Sequence, residues 1–282
     1  RPLELDRIRR MIITHKMKWD KCLSHEIWPH IEKGWQDEDK EIHFFWGLGG
    51  ANRELIKDCI VNKKEWWYVD VGYFTQQITR YPAPKIHDYD KTYLRIVKGD
   101  IHSNKGKVGP GRRIVDLESK GIDVTFKGWN MGETKHILLC PSSDTVTRES
   151  NGMSQDEYIQ QVTKDLKQHT NREIRVRNKP RPGNEWWETD IKDDLKDCHC
   201  LVTNMSLAAI DAVMNKVPAI CEGQNVAWPI TSRHPKYVEK PFRPGRKTMN
   251  EWIKFVVENQ FTIEEMSNGV AYETLKHQYG PE

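Results

Sequence analysis

Three polar segments in the second half of the sequence carry side chains that bind phosphate in proteins. Pro141-Ser142-Ser143 and Thr203-Asn204-Met205-Ser206 each follow an apolar, β-prone run, and Arg175 to Arg181 is rich in cations. Hydroxyl groups and cations together offset the charges of a diphosphate. Because the carboxyl ends of parallel strands share one edge of a sheet, the three segments are expected to meet there.

A short helix is predicted after the Thr203-Asn204-Met205-Ser206 segment, from about residue 205 to 215. Thr203, Asn204 and Ser206 offer oxygens to its first amides, and Ala208 is small enough for a ligand to approach. Free amides and the helix dipole favour an anion at this end, which we interpret as a nucleotide phosphate. The same features also suit a buried helix that only needs a cap. Asp211 is placed either to reach ribose hydroxyls or to hold neighbouring backbone.

The residues of this half that are predicted to bind the nucleotide share this edge of the sheet. They are Ser142, Ser143, Arg175, Arg177, Lys179, Thr203, Asn204, Ser206, Leu207, Ala208 and Asp211.

The first half contains a glycine turn between a predicted strand at 42–46 and a predicted helix at 53–63. Its ligand-contact candidates are Gly47, Gly49, Gly50 and Asn52. Glycines let the backbone approach a phosphate closely, although the spacing differs from the dinucleotide fingerprint and equally suits a tight turn without a ligand. Asp70, which ends the next strand, is the first candidate for a general base, or else a turn cap. His102 is the second candidate, since its ordinary pKa suits proton transfer.

Residues 95–113 form a basic stretch with a single acid, Asp100. Its cations are Arg95, Lys98, Lys105, Lys107, Arg112 and Arg113. Glycines, asparagines and Pro110 predict a mobile loop, which is able to follow a polyanion such as a nucleic acid backbone. Solvated loops also carry such charge without a partner.

The composition predicts a soluble globular protein. The 282 residues have a net charge of +3, and no apolar run is long enough to span a bilayer. The six cysteines lie mostly inside predicted strands and helices, which indicates reduced thiols and a cytoplasmic compartment. Cys198-His199-Cys200 is not interpreted as a metal site, because its side chains would alternate between the two faces of a strand.

Strands alternate with helices along the whole chain, which predicts an α/β protein with parallel sheets covered on both faces. Further strands are expected at 66–70, 92–97, 136–140, 174–176, 201–202 and 219–221, and further helices at 154–169, 186–197, 248–259 and 262–276. A polar, glycine-bearing break at 128–134 predicts two domains. Residues 1–130 would form a Rossmann-like domain with a helical N-terminal arm, and residues 131–282 a second Rossmann-like domain.

Residues 136–277 resemble the donor-binding half of glycosyltransferases of the GT-B type, which have two Rossmann-like domains facing each other across a cleft. The resemblance lies in Arg175-Val-Arg-Asn-Lys-Pro180 and in the run from Val202 to Ile220, which is similar to the family's Ser-x-Ala-x-x-Glu-Ala-x-x-x-Gly-x-Pro pattern. The chain departs from that pattern at Asp211, where Glu is usual, and at Asn215, where Gly is usual. Related transferases act on capsular polysaccharide or modify bacteriophage DNA.

The resemblance implies a hexosyl- or pentosyltransferase with a nucleotide-sugar donor, a UDP-sugar in the first place, and no obligatory metal. The basic stretch favours double-stranded DNA with hydroxylated bases as acceptor and partner, in a host cytoplasm if the protein is phage-encoded, with no membrane partner. Three alternatives are transfer to a surface polysaccharide, a nucleotide-sugar epimerase or hydrolase of the same fold, and a non-catalytic nucleotide or nucleic-acid binding module.

Overall fold

The computed structural model describes residues 11–15, 22–36, 40–74, 78–79, 85–102 and 107–280. The chain divides into two compact units, Arg1–Ile101 with Glu258–Glu282, and His102–Val257. The boundary predicted near residue 130 falls inside the second unit, and a division into domains at that point stays a prediction.

The strands and helices of the described residues follow in chain order. The strands are β1 (Met11–His15), β2 (Glu41–Trp46), β3 (Glu65–Val71), β4 (Ile78–Thr79), β5 (Lys85–Ile86), β6 (Leu94–Lys98), β7 (His136–Leu139), β8 (Glu173–Val176), β9 (Cys198–Thr203), β10 (Ala219–Cys221) and β11 (Gln260–Phe261). The α-helices are α1 (Ser24–Gly34), α2 (Asn52–Val61), α3 (Arg112–Ser119), α4 (Asp144–Asn151), α5 (Gln155–Leu166), α6 (Ile191–Asp194), α7 (Ala208–Met214), α8 (Arg246–Val257), α9 (Ile263–Ser267) and α10 (Val270–Tyr279).

The sheet of the first unit has the order β1-β2-β3-β6-β11. Strands β1, β2 and β3 run parallel, whereas β6 is antiparallel to β3 and β11 is antiparallel to β6. The first sheet is therefore mixed, which corrects the expectation that it is parallel. The physical reason is the connection from β3 to β6, because an antiparallel neighbour needs no crossover helix.

Both faces of the first sheet are covered by apolar side chains. On one face, α1 contributes Trp28 and α10 contributes Tyr272 to a cluster that includes Phe44 and Trp67. The opposite face packs Phe45, Trp66 and Tyr68 against Ile56 and Cys59 of α2. The predicted helical arm is thus present as α1, and the strand β1 before it was not predicted.

The sheet of the second unit has the order β10-β9-β7-β8, and all of its pairs are parallel. Every residue of β9 is buried, as expected for a central strand covered on both faces. One face packs against α5, which begins with the capping box of Ser154 and Glu157. The predicted parallel α/β arrangement is confirmed for this unit.

Two predicted helices differ from the structure. The helix expected at 186–197 is only α6, because Asp190 caps it through the amide of Lys192 and residues 184–189 form turns instead. The helix expected at 262–276 is divided into α9 and α10 at Gly269, whose φ of 87° is left-handed. Within the described part of the chain, no helix combines the length and apolar character needed to cross a membrane.

Candidate functional site

The carboxyl ends of β7 and β9 meet at one edge of the parallel sheet. The amide of Ser142 donates to Asn204 Oδ1 at 2.9 Å, and the amide of Met205 donates to Ser142 Oγ at 3.2 Å. The predicted meeting of these two strand ends is therefore confirmed. We refer to the loops that follow β7, β8, β9 and β10 as the polar edge.

Several of the polar side chains predicted here hold the loops to each other. Asn204 is fully buried, and its Nδ2 donates to Asn151 Oδ1 at 3.3 Å. Thr203 Oγ1 accepts from the amide of Ser206 at 3.1 Å. Because buried polar groups need partners, these side chains form the shape of the polar edge and carry no net charge.

Other predicted residues of the polar edge lie nearer the surface. Ser143, Ser206, Leu207 and Ala208 are each partly exposed, and Asp211 is exposed. Ser206 Oγ accepts from the amide of Ala208 at 3.2 Å, so this hydroxyl caps α7. Ligand atoms at this point would meet small side chains and hydroxyls.

The cations associated with β8 fall into two kinds. Arg177 is only 5% exposed and donates to Asp194 Oδ2 at 2.5 Å and to Thr189 Oγ1 at 2.9 Å. Arg175 is exposed on β8 and pairs with Glu173 at 2.7 Å. Arg177 and Arg175 were expected to act together, but Arg177 follows the end of β8 and is buried by the turns of residues 184–189. Lys179 is exposed, and its carbonyl accepts from Asn184.

The glycine turn after β2 is closed by a side chain. Gly47 and Gly50 both have a φ of 59°, which glycine adopts without strain. Asn52 is buried, and its Nδ2 donates to the carbonyls of Trp46 at 2.9 Å and Gly47 at 3.2 Å. Asn52 therefore stabilises the turn, which Gly49 also lines.

Asp70 lies at the end of β3 beside a buried arginine. Its carboxylate accepts from Tyr68 Oη at 2.9 Å, from the amide of Val71 at 2.8 Å and from Arg95 Nη2 at 3.2 Å. Arg95 also donates to the carbonyl of Val71 at 2.8 Å. Although burial acts to lower the pKa of Arg95, Asp70 and the tyrosines raise it. Asp70 is therefore the partly exposed partner of an ion pair with the buried Arg95, and its role as a base stays a prediction.

The basic stretch is not one mobile loop. Arg95 and Lys98 belong to β6, which pairs with β3 and β11 in the sheet, and Arg112 and Arg113 begin α3. Lys98 pairs with Glu65 at 3.1 Å, and Arg113 Nε donates to the carbonyl of Val257 at 3.0 Å. Lys107 is exposed, and Lys105 lies outside the described residues.

His102, the second candidate base, is buried. Its Nε2 donates to the carbonyl of Met205 at 2.9 Å, because a carbonyl only accepts. His102 therefore supports the loop that leads into α7.

A chain of ionisable side chains in the first unit was not predicted. His15 Nε2 lies 2.9 Å from His43 Nδ1, His43 Nε2 lies 2.7 Å from Glu41 Oε1, and Lys64 Nζ lies 3.2 Å from the same oxygen. His15 stacks on Phe45 with ring centroids 4.2 Å apart. The participants are separated by up to 49 positions, so no local motif marks them in the sequence.

The hydrogen-bond partners of His43 and the burial of His15 affect the protonation of these side chains. The hydrogen bond from His43, followed by the one from Lys64, lowers the pKa of Glu41, so the carboxylate accepts and His43 Nε2 carries a hydrogen. Burial, together with His43, lowers the pKa of His15 to about 4. His15, at the end of β1, is therefore uncharged near neutral pH.

Comparison with known proteins bears on the fold. No protein-family model matches the chain, and no curated protein matches it. Among solved structures, KpsC of Thermosulfurimonas dismutans, a beta Kdo 2,4 transferase, is 13% identical with a TM-score of 0.50, over 88% of this chain and 90% of that chain. The fold resembles that of a glycosyltransferase. A second structure of Thermosulfurimonas dismutans KpsC, that of the beta Kdo 2,7 transferase, is 12% identical with a TM-score of 0.47, over 94% of this chain and 99% of that chain.

Among the described residues, no group of three or more His, Cys, Asp or Glu side chains is arranged to hold a metal ion. Cys198 and Cys200 are buried in β9, and His199 Nδ1 lies 2.8 Å from Thr134 Oγ1.

Proposed function

We propose that the protein is a glycosyltransferase that binds a nucleotide-sugar donor, such as a UDP-sugar, at the polar edge. The observation that carries the proposal is that the ends of β7 and β9 meet beside the partly exposed Ser143 and Ser206. The cationic segment, residues 175–181, lies at the end of the neighbouring strand β8. Nucleotides bind beyond the carboxyl ends of strands in open α/β sheets. Ser142, Ser143, Thr203, Asn204 and Ser206 are uncharged and carry oxygens or an amide, which suits a phosphate group.

In the proposed reaction, the bond between the anomeric carbon and the donor phosphate oxygen breaks, and an acceptor hydroxyl forms the new glycosidic bond. The nucleotide leaves with the bonding electrons, and a base takes the hydroxyl proton. Ser143, Ser206 and Lys179 would bind the phosphates and stabilise the developing negative charge. Thr203 and Asn204 would position these groups.

For the acceptor, we favour a saccharide over a base in DNA. The similar fold of a beta Kdo 2,4 transferase supports an acceptor of this class. The DNA proposal depended on one continuous basic loop, and Arg95, which is buried, and Lys98, which pairs with Glu65, belong to a strand. A DNA acceptor has no support beyond the remaining surface cations.

The experiment is nucleotide binding measured by calorimetry on the full chain, with UDP as the probe and Ser206→Asp and Ser206→Asn as matched variants. Both replacements retain an oxygen that is able to cap α7, but only aspartate adds a negative charge. We expect the aspartate variant to bind UDP at least about tenfold more weakly than the asparagine variant. Equal affinities in two folded variants would contradict phosphate binding at Ser206.

A further inference from the structure

Glu222 follows β10 directly and lies at the end of the polar edge that is opposite β8. Its amide donates to the carbonyl of Thr203 at 2.9 Å, and the amide of Gly223 donates to the carbonyl of Asn204 at 3.0 Å. Since side chains alternate along a strand, Glu222 lies on the same face as Ile220, which packs with Tyr158 of α5. Its carboxyl group is therefore on the face of the sheet that packs against α5.

One oxygen of this carboxyl group is held in place and the other is not. Tyr158, which is 2% exposed, donates its hydroxyl to Glu222 Oε2 at 2.6 Å. Within the described part of the chain, Oε1 has no hydrogen-bond partner, and the side chain is partly exposed. A buried tyrosine thus fixes a carboxyl group whose second oxygen is available to a ligand.

A carboxylate at this position suits hydroxyl groups and opposes phosphate. The strand order places β10 three strand spacings from β8, about 14 Å at the usual separation. The cationic segment follows β8, so the polar edge has cations at one end and Glu222 at the other. A nucleotide with its phosphates toward the cations would present its ribose toward Glu222.

We propose that Glu222, positioned by Tyr158, accepts hydrogen bonds from the ribose hydroxyls of the donor, so that the donor is a ribonucleotide sugar and not a 2′-deoxyribonucleotide sugar. The inference rests on the proposed function and names the nucleotide class of that same site. It differs from the sequence-based prediction, in which Asp211 either reaches the ribose hydroxyls or holds neighbouring backbone.

The surroundings of Glu222 add a dependence on pH. Burial raises the pKa of Glu222, the hydrogen bond from Tyr158 acts in the opposite direction, and Asp165 on α5 adds to the rise. Burial, followed by Glu222, also raises the pKa of Tyr158, which therefore stays a donor. The ionised carboxylate is the stronger acceptor, so selectivity for ribose should weaken as the pH falls through the raised pKa of Glu222.

The test compares the binding of UDP and 2′-deoxy-UDP to the full chain by calorimetry, in the wild type and in Glu222→Gln. If the wild type does not bind UDP, the other common nucleoside mono- and diphosphates and their 2′-deoxy counterparts are measured. Glutamine keeps an acceptor for Tyr158 but has no charge. We expect the wild type to bind the ribonucleotide about tenfold or more tightly than the deoxynucleotide, and Glu222→Gln to lose most of that ratio. Glu251→Gln, an exposed site on α8, is the control and should keep the ratio.

Each outcome has one meaning. A wild type that binds no nucleotide would overturn the proposed function and this inference with it, whereas equal binding of the two nucleotides would overturn only this inference. If Glu222→Gln keeps the preference for the ribonucleotide and Asp211→Asn loses it, Asp211 and not Glu222 binds the ribose hydroxyls. If Glu222→Gln does not fold, Tyr158→Phe is measured in its place. We expect this variant to lose a smaller part of the preference for the ribonucleotide. An unchanged preference would contradict the proposal.

Discussion

The two sheets use the polar side chains at their carboxyl ends in different ways. At the polar edge of the parallel sheet, neutral Ser142, Thr203 and Asn204 bond to the backbone of neighbouring loops. In the mixed sheet, ionisable groups of different strands pair with each other, as Asp70 does with Arg95. Neutral groups shape a surface without repelling an anion, whereas paired charges make stability depend on each partner. The comparison indicates why a phosphate is proposed beside the neutral groups that follow β7 and β9, and not at the end of β3.

The largest effect should come from Asp70→Asn, which leaves the Arg95 cation buried without its counter-charge. We expect a loss of about 3 kcal/mol in the free energy of unfolding, measured by urea denaturation. The control is Asp58→Asn on α2, where the carboxylate is 54% exposed and 3.8 Å from Lys64, and should change little. Full stability of Asp70→Asn together with lost sugar transfer would contradict the structural role and support Asp70 as the catalytic base.

A second comparison concerns the two arginines Arg175 and Arg177, which we expect to differ in their contributions to stability. Arg177→Met removes a buried guanidinium bonded to Asp194 and Thr189 and should cost about 2 kcal/mol of unfolding free energy. Arg175→Met, two residues earlier, removes an exposed pair with Glu173 and should cost less than about 0.5 kcal/mol. Equal losses in urea denaturation would contradict different roles for these two arginines.

A third effect concerns the pH dependence of the His15 chain. The folded pKa of His15, about 4, lies below the ordinary value of 6.5, so the unfolded chain binds the additional proton between these values. Stability should therefore fall as the pH drops from about 6.5 towards 4, by roughly 1 kcal/mol for a partly exposed group. His15→Gln keeps an amide that is able to donate to or accept from His43 but does not titrate, and should lose less stability between pH 7 and pH 5. The same loss in both proteins would show that His15 is not responsible.

Local sequence patterns predicted those parts of the fold that depend on neighbouring residues. The apolar run of β9 and the helix α5 were recognisable because the interactions that define them span only a few positions. The meeting of Ser142 with Asn204 followed from the rule that parallel strands end at one edge.

The partners of charged groups were not predictable in the same way. Arg95 was assigned to a basic loop because its neighbours in sequence are basic, but its burial depends on β3, which is paired with it across the sheet. The contact of His15 with His43 and that of Glu222 with Tyr158 join distant positions and leave no local signal. Which groups of the polar edge face solvent likewise depends on packing.

Hydrogen exchange of the full chain, with and without saturating UDP, tests the central claim most directly. The account predicts slower exchange for backbone amides in the loops that follow β7, β8 and β9, near Ser143, Lys179 and Ser206, and no change in the glycine turn at residues 47–52. Protection confined to that glycine turn, or none in these three loops at saturating UDP, would contradict nucleotide binding at the polar edge.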